Sequence, residues 1–260
     1  MTSNMSGNLV ALKTIVRREI VRIMRIWTQT LIPPAITMTL YFVIFGKLIG
    51  SRIGNIQGEF SYMQYIVPGL VMMSIITNSY GNISSSFFGA KFQRSVEEML
   101  VSPMPNWVIL LGYVTGAVSR GLVVGLLVLL IALFFTHLQV AHILVTLLSV
   151  LFGATIFSLA GFVNAIYAKK FDDIALVPTF VLTPLTYLGG VFYSVNMLSE
   201  PWQAISRINP ILYMVNAFRF GVLGISDVHI GVAFGVMLLF VIGLSWIALT
   251  LLKRGVGLRS

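Results

Sequence analysis

Six stretches of this sequence are long and apolar enough to be read as membrane-crossing helices, and that constrains the fold more than any other feature. A spanning helix needs about 20 mostly apolar residues. The stretches run from Thr28 to Phe45, Tyr65 to Phe88, Trp107 to Phe135, Ile143 to Ala168, Ile174 to Phe192 and Ile230 to Leu252. Composition agrees, with 57% of the 260 residues apolar and 10% charged, against about 45–50% and about 25% in a soluble domain. One buried core cannot absorb that excess, so much of the apolar surface must meet lipid. The first apolar stretch begins after about 27 polar or amphipathic residues, too far along for the n-region of a signal peptide, so the first helix is expected to be retained. The expectation is an all-α membrane protein: six transmembrane helices in a single domain over residues 1–260.

Between the fifth and sixth stretches, Ile211–Ile225 is also apolar but carries Asn216 and Arg219. Fifteen helical residues extend about 22 Å, short of the roughly 30 Å hydrocarbon core. Asn209-Pro210 precedes them, and proline both ends a helix and restricts the residue before it. Residues 197–225 are therefore expected to form a re-entrant hairpin, with Met197–Arg207 as the first arm. Charge tests this topology. With six spans and both termini cytoplasmic, twelve basic residues fall inside: Lys13, Arg17, Arg18, Arg22, Arg25, Lys91, Arg94, Lys169, Lys170, Lys253, Arg254 and Arg259. Four fall outside: Lys47, Arg52, Arg207 and Arg219. That is the cytoplasmic excess of Lys and Arg expected of a multi-pass protein. A seventh span at Ile211 would reverse the C-terminal cluster. The same placement accounts for the net charge of +9 without nucleic acid as a partner.

Two segments lie outside the spans yet carry a pattern. Over residues 9–27, Leu9, Leu12, Val16, Ile20, Ile23 and Trp27 share one narrow helical face, with Arg17, Arg18, Arg22 and Arg25 beside or behind it. Such a helix lies in the headgroup plane against anionic lipid, either as a plain anchor or as an elbow that passes motion to the first span. The loop at 90–105 holds a second pattern. Phe92, Val96, Met99 and Leu100 form a helical stripe, with Gln93, Arg94, Glu97 and Glu98 opposite and a stop at Ser102-Pro103. A short charged helix projecting from a bundle can dock in a groove of a cytoplasmic partner; it can equally be a solvated loop.

Within the spans, Ser74, Thr77, Asn78, Ser79, Asn82, Ser84, Ser85 and Ser86 crowd the second helix. They read either as helix-packing contacts or as a polar translocation surface. Gly112-x-x-x-Gly116 and Gly121-x-x-x-Gly125 fit a small-residue packing seam on the third helix. Arg120 lies inside that helix, where its charge must face protein, water or headgroups. Pro178 and Pro184 predict kinks in the fifth. Enzyme chemistry finds little support. There is no Cys, and His137, His142 and His229 sit near outer span ends without a metal-site spacing. Asp172-Asp173 adjoins Lys169-Lys170 as a solvated charge cluster. No Gly-x-x-x-x-Gly-Lys-Ser/Thr loop is present for ATP phosphates. A secondary transporter is the other class considered; it normally needs ionisable groups at midplane, and apart from Arg120 these spans lack them.

Three motifs in order resemble one family. The first is the short acidic helix ending in Leu100-Val101-Ser102-Pro103 after the second span. Next comes Thr183-Pro184-Leu185 followed by Gly189-Gly190-Val191-Phe192-Tyr193. The third is Asn209-Pro210-Ile211-Leu212-Tyr213 through Phe218-Arg219 before the last span. Together they resemble the ABC-2 type transport permeases, including the inner-membrane permeases of Gram-negative bacteria, over nearly the whole chain. One departure is that many members have Gly-Thr-x-Glu where this chain has Arg94-Ser95-Val96-Glu97. The resemblance implies the membrane subunit of an ATP-driven exporter of an amphiphilic, drug-like or lipid-linked substrate. It implies no cofactor in this chain, with ATP and Mg bound by two copies of a partner ABC ATPase, and a second permease subunit completing a homodimer in the bacterial inner membrane. It places ATPase coupling on Phe92, Arg94, Val96, Glu97, Glu98, Met99 and Leu100. The translocation path or outer gate falls to Asn78, Asn82, Pro184, Tyr187, Phe192, Tyr193, Asn209, Pro210, Tyr213 and Arg219.

Overall fold

The computed structural model describes residues 5–53, 55–56 and 60–257; Arg259 and the side chain of Lys47 lie outside them. In chain order the helices begin with α1 (Met5–Arg25), α2 (Trp27–Tyr41), a π-helical segment (Phe42–Ile49) and one turn of α3 (Gly50–Ile53). A two-residue hairpin follows, β1 (Asn55–Ile56) against β2 (Phe60–Ser61), with Asn55 opposite Ser61. Then come α4 (Tyr62–Phe92), α5 (Ser95–Val101), α6 (Asn106–Leu133) and α7 (Ile143–Tyr167). The remainder is α8 (Phe171–Val177), a second π-helical segment (Pro178–Leu182), α9 (Thr183–Leu188), a 3-10 turn (Val195–Met197), α10 (Glu200–Ile208), α11 (Pro210–Leu223) and α12 (Ile230–Arg254).

Among the described residues, five helical stretches are long and apolar enough to cross a membrane: Trp27–Gly46, Asn106–Leu133, Ile143–Tyr167, Phe171–Leu188 and Ile230–Arg254. They match the first, third, fourth, fifth and sixth stretches within a few residues. The fifth ends at Leu188 rather than Phe192, because the chain turns at Gly189-Gly190 and Gly190 adopts φ +71°, a conformation open to glycine alone without strain. The kinks predicted there take the form of the π-helical segment. Pro184 has no amide hydrogen, and the Thr183 amide and hydroxyl both donate back to the Pro178 carbonyl.

The second stretch, α4, behaves differently. Ser61 and Gln64 form a capping box at its start, and its 31 residues extend about 46 Å. It buries 22 of those residues against α6, α7 and α11. A helix sheathed by other helices need not be lipid-compatible all round, which is why it tolerates the Ser and Asn that lower its apolar character. The surrounding glycines admit it. Gly121 and Gly125 of α6 abut Ser79 and Ile75, and Gly161 of α7 abuts Ile83 and the Tyr80 carbonyl. Ser84 donates across to the Gly161 carbonyl at 3.2 Å, and Phe87 packs between Phe162 and Tyr113 with centroids 4.2 and 5.2 Å apart. Close backbone approach and interhelical hydrogen bonds replace the hydrophobic effect as the association force in lipid.

The glycine pair at Gly112 and Gly116 serves a second partner. A Cβ at Gly112 would meet Ile15, and one at Gly116 would meet the Cβ of Glu19 at 2.5 Å. Helix α1 is therefore docked on α6, and it buries Ile15, Glu19 and Ile23. That face shares Ile23 with the apolar stripe read from sequence and otherwise lies beside it. Of that stripe, Leu9, Ile20 and Trp27 stay exposed and remain free to meet lipid.

Two sets of contacts define the ends of the bundle. At one end the Lys91 Nζ donates to the Ile166 and Ala168 carbonyls at 2.6 and 2.7 Å, capping α7. Phe88 and Phe92 meet Phe171 with centroids 4.9 and 5.2 Å apart. At the other end Gln64 donates to the His137 carbonyl, Tyr62 to the Phe192 carbonyl and Tyr65 to Asp227.

Candidate functional site

An exposed elbow joins α4 to α5 at the Lys91 end. Helix α4 runs through Phe92, so Phe92 does not share a helix with Val96, Met99 and Leu100, which corrects the single stripe expected over 90–100. The break is at Arg94, with φ +59° and ψ 6°. It is the non-glycine residue with positive φ among those described. A side chain in the left-handed region crowds its own carbonyl, so glycine would fill this position with less strain than arginine. The elbow is held by Gln93 donating to the Gly89 carbonyl, Arg94 to the Lys91 carbonyl and the Ser95 hydroxyl to the Ala90 carbonyl.

The short α5 then buries Val96, packs Met99 and Leu100 on the core and leaves Glu98 exposed, with Glu97 half-buried. Phe92 and Arg94 are exposed as well. Ser102 caps the last turn through the Met99 carbonyl at 2.7 Å. Both carboxylates lie in the first turn, where they complement the positive end of the helix dipole. The result is a small acidic projection rooted in the central helix α4, whose end is tied to α7 by Lys91 and packed on α8 by Phe92.

At the opposite end, most of the residues assigned to a gate come together. The Arg219 side chain is 1% exposed. It donates to the Gly190 carbonyl at 2.7 Å and the Tyr65 carbonyl at 3.4 Å, and stacks over the Tyr65 ring at 3.9 Å. Asn209 accepts from the Ile211 amide at 3.0 Å and donates to the Leu185 carbonyl. Pro210 occupies the first turn of α11, where its missing amide hydrogen costs nothing. Tyr213 reaches back to the Arg207 carbonyl at 2.6 Å. Phe192 packs among Tyr41, Phe45 and Tyr187. Tyr193 donates to the Tyr187 carbonyl at 2.9 Å, and burial pushes its phenol above the usual range, so it stays a donor. Pro184 lies one turn below.

Residues 195–227 thus form two helices, α10 and α11, broken at Asn209. Both ends of this unit are tied by one carboxylate. Asp227 accepts from the Ser194 hydroxyl at 2.8 Å and the Val195 amide at 3.1 Å, while its own amide donates to Asn216 at 2.9 Å. Helix α10 is mostly exposed and α11 almost wholly buried.

Asn78 and Asn82 are not part of that gate. On α4 the polar residues divide by face. Ser74, Ser79, Asn82, Ser84 and Ser86 are buried in packing, so that reading holds for them. Thr77, Gly81 and Ser85 are exposed at successive turns, with Asn78 and Gly89 partly so, leaving one open strip of small and polar groups along an otherwise enclosed helix.

Sequence reasoning missed several residues. Glu19, 1% exposed, accepts from the Ser86 hydroxyl at 2.6 Å and pairs with Arg22 at 3.0 Å and Arg18 at 3.6 Å. A signal existed: it is the single acid on a helix of five cations, three residues before Arg22 and opposite a packing glycine. Asp227 and Lys91 were missed for a plainer reason, since each acts on backbone carbonyls or amides distant in sequence.

The chain is similar in sequence to known membrane proteins. The family model described as ABC-2 type transporter matches residues 10–223. The inner membrane transport permease YadH of Escherichia coli (strain K12) is 60% identical over 96% of this chain and 98% of its own length, as is that of Shigella flexneri. Nodulation protein J of Rhizobium meliloti (strain 1021) is 26% identical over 83% of this chain and 82% of its own. The family match runs from within α1 to the end of α11, and this chain belongs to the ABC-2 type transporter family of membrane proteins.

Proposed function

We propose that this chain is the permease subunit of an ATP-driven exporter in a bacterial inner membrane. Each copy crosses six times, through α2, α4, α6, α7, α8–α9 and α12, with both termini cytoplasmic. Helices α10 and α11 enter and leave on the outer side as a re-entrant pair, closed by Asp227 and Arg219. Two copies pair, and two ABC ATPase chains, which bind ATP and Mg, dock beneath them on α5. Closure of the ATPases pushes α5, and the elbow at Arg94 turns that push into a tilt of α4. The open strip from Thr77 to Gly89 faces the path of an amphiphilic or lipid-linked substrate moving outward.

The observation that carries this reading is the rooting of α5. An acidic, exposed projection is of little mechanical use on a loose loop. Here Val96 is buried, Ser95 is tied to Ala90, and the base of the elbow is braced on α7 by Lys91 and on α8 by Phe171. Force on α5 reaches the most enclosed helix directly. Co-purification tests this. An ATPase subunit should accompany the chain, with hydrolysis stimulated by it, and Glu98→Lys or Glu97→Lys should weaken that association without disturbing membrane insertion. An unchanged pull-down with both variants removes α5 from the coupling role. The second reading, a secondary transporter, draws on the buried Glu19 carboxylate; gradient-driven transport in vesicles free of any ATPase would establish it.

A further inference from the structure

Between α1, α4 and α6 the charges do not balance. Three guanidinium groups, Arg18, Arg22 and Arg120, lie here with one carboxylate, Glu19, and the first two pair with it. Glu19 is already engaged by Arg18, Arg22 and Ser86. Among the described residues, Arg120 has no carboxylate within ion-pair distance. It reaches instead the Oδ1 of Asn82 at 3.4 Å, an oxygen that also accepts from Arg22 at 2.8 Å. Two cations thus converge on one neutral acceptor.

Three unpaired donors lie among these groups. Arg22 Nε, Arg120 Nε and Asn82 Nδ2 are buried without a hydrogen-bond partner, and Asn82 is fully buried. A buried polar group left unpaired is destabilising, and a charge within a membrane helix is expected to have a partner. Three orphan donors, two of them cationic, ask for one anionic acceptor with several oxygens. Access exists at Arg22, which with Arg18, Glu19, Ser85, Ser86 and Gln93 lines an open pocket of about 240 Å³ at the end of the bundle that carries α5; Asn82 and Arg120 do not line it and join Arg22 through the Asn82 Oδ1 that both arginines reach.

We propose that Arg22, Arg120 and Asn82 form a binding site for a phosphate group, entered through this pocket. Guanidinium forks match phosphate oxygens in pairs, and one phosphate supplies acceptors for all three orphans while offsetting the excess positive charge. The group arrives either on a membrane phospholipid or as free phosphate. This site stands whatever energy source drives transport.

Thermal unfolding of the purified full chain in a neutral detergent tests it, with three additives: dioctanoyl phosphatidylglycerol, sodium phosphate, and dioctanoylglycerol, which has the same acyl chains and no phosphate. At ten times its dissociation constant the bound species should raise the Tm by about 3–5 °C. A rise with phosphatidylglycerol alone assigns the site to lipid; a rise with sodium phosphate as well assigns it to free phosphate. Arg120→Gln should abolish the rise, and Arg17→Gln, at an exposed position, should preserve it. Because loss of Arg120 can also loosen the fold, Asn82→Asp provides an independent arm. Its carboxylate would satisfy both arginines, raising the Tm without additive and removing the phosphate response. An equal rise with dioctanoylglycerol, no rise with either phosphate compound, or a full response in both Arg120→Gln and Asn82→Asp overturns the proposal.

Discussion

Replacing Arg94 with glycine should strengthen this protein locally, although glycine ordinarily weakens a folded chain. The reason is the φ of +59° at the elbow. An L-residue in the left-handed region costs roughly 1–2 kcal/mol, and glycine avoids that cost. Against it stands the larger backbone entropy that glycine gives up on folding, about 0.5–1 kcal/mol. The balance favours Arg94→Gly by about 0.5–1 kcal/mol in the elbow. The Arg94 side chain is exposed, so little packing is lost with it. Hydrogen exchange reads this directly. Amides of α5 that exchange through opening of the elbow should slow by about 2–5-fold in Arg94→Gly. In Arg94→Val, where a β-branched side chain is least tolerated at positive φ, they should speed up. If Arg94→Gly exchanges faster than the parent, or Val and Gly behave alike, the left-handed elbow is wrong.

Gly116→Leu should separate α1 from α6, because the added side chain begins 2.5 Å from the Glu19 Cβ. Overpacking of about 1–3 kcal/mol lowers the Tm in detergent by about 3–10 °C, whereas Gly235→Leu, with nothing within 4 Å, should shift it little. Arg219→Lys keeps the charge but loses the fork that reaches both Gly190 and Tyr65 and the stacking on the Tyr65 ring. It should cost about 1–3 kcal/mol, visible as a lower Tm. Asp227→Ala removes the acceptor shared by Ser194 and Val195. Amides of residues 195–208 should then exchange faster while those of α6 do not change, as followed by hydrogen exchange.

The lipid-facing helices were legible because their signal is local: a long apolar run has few other uses. Helix α4 was harder, since its Ser and Asn residues are meaningful only once the sheath of α6, α7 and α11 is known. The same residue type has opposite roles two turns apart, with Ser79 packed under Gly121 and Ser85 open. The two glycine pairs of α6 were recognisable as a packing seam, yet spacing could not reveal that Gly112 and Gly116 receive α1 while Gly121 and Gly125 receive α4. The stripe over 90–100 was misread as one helix because periodicity counts residues and is blind to a single left-handed φ. At the opposite end, Asn209, Pro210, Tyr213 and Arg219 were found as a motif. What they grip, the carbonyls of Leu185, Arg207, Gly190 and Tyr65, is backbone and leaves no trace in residue type. Glu19 was passed over because the cations around it dominated the reading of its helix.

The central claim is that α5 is a cytoplasmic projection on which an ATPase acts. The chain contains no cysteine, so Glu98→Cys introduces a single thiol at an exposed position of α5. With a membrane-impermeant maleimide, that thiol should label in inside-out vesicles, be spared in intact cells, and become shielded when the ATPase is bound. Labelling from the outside of intact cells, or a rate indifferent to the ATPase, would contradict the account.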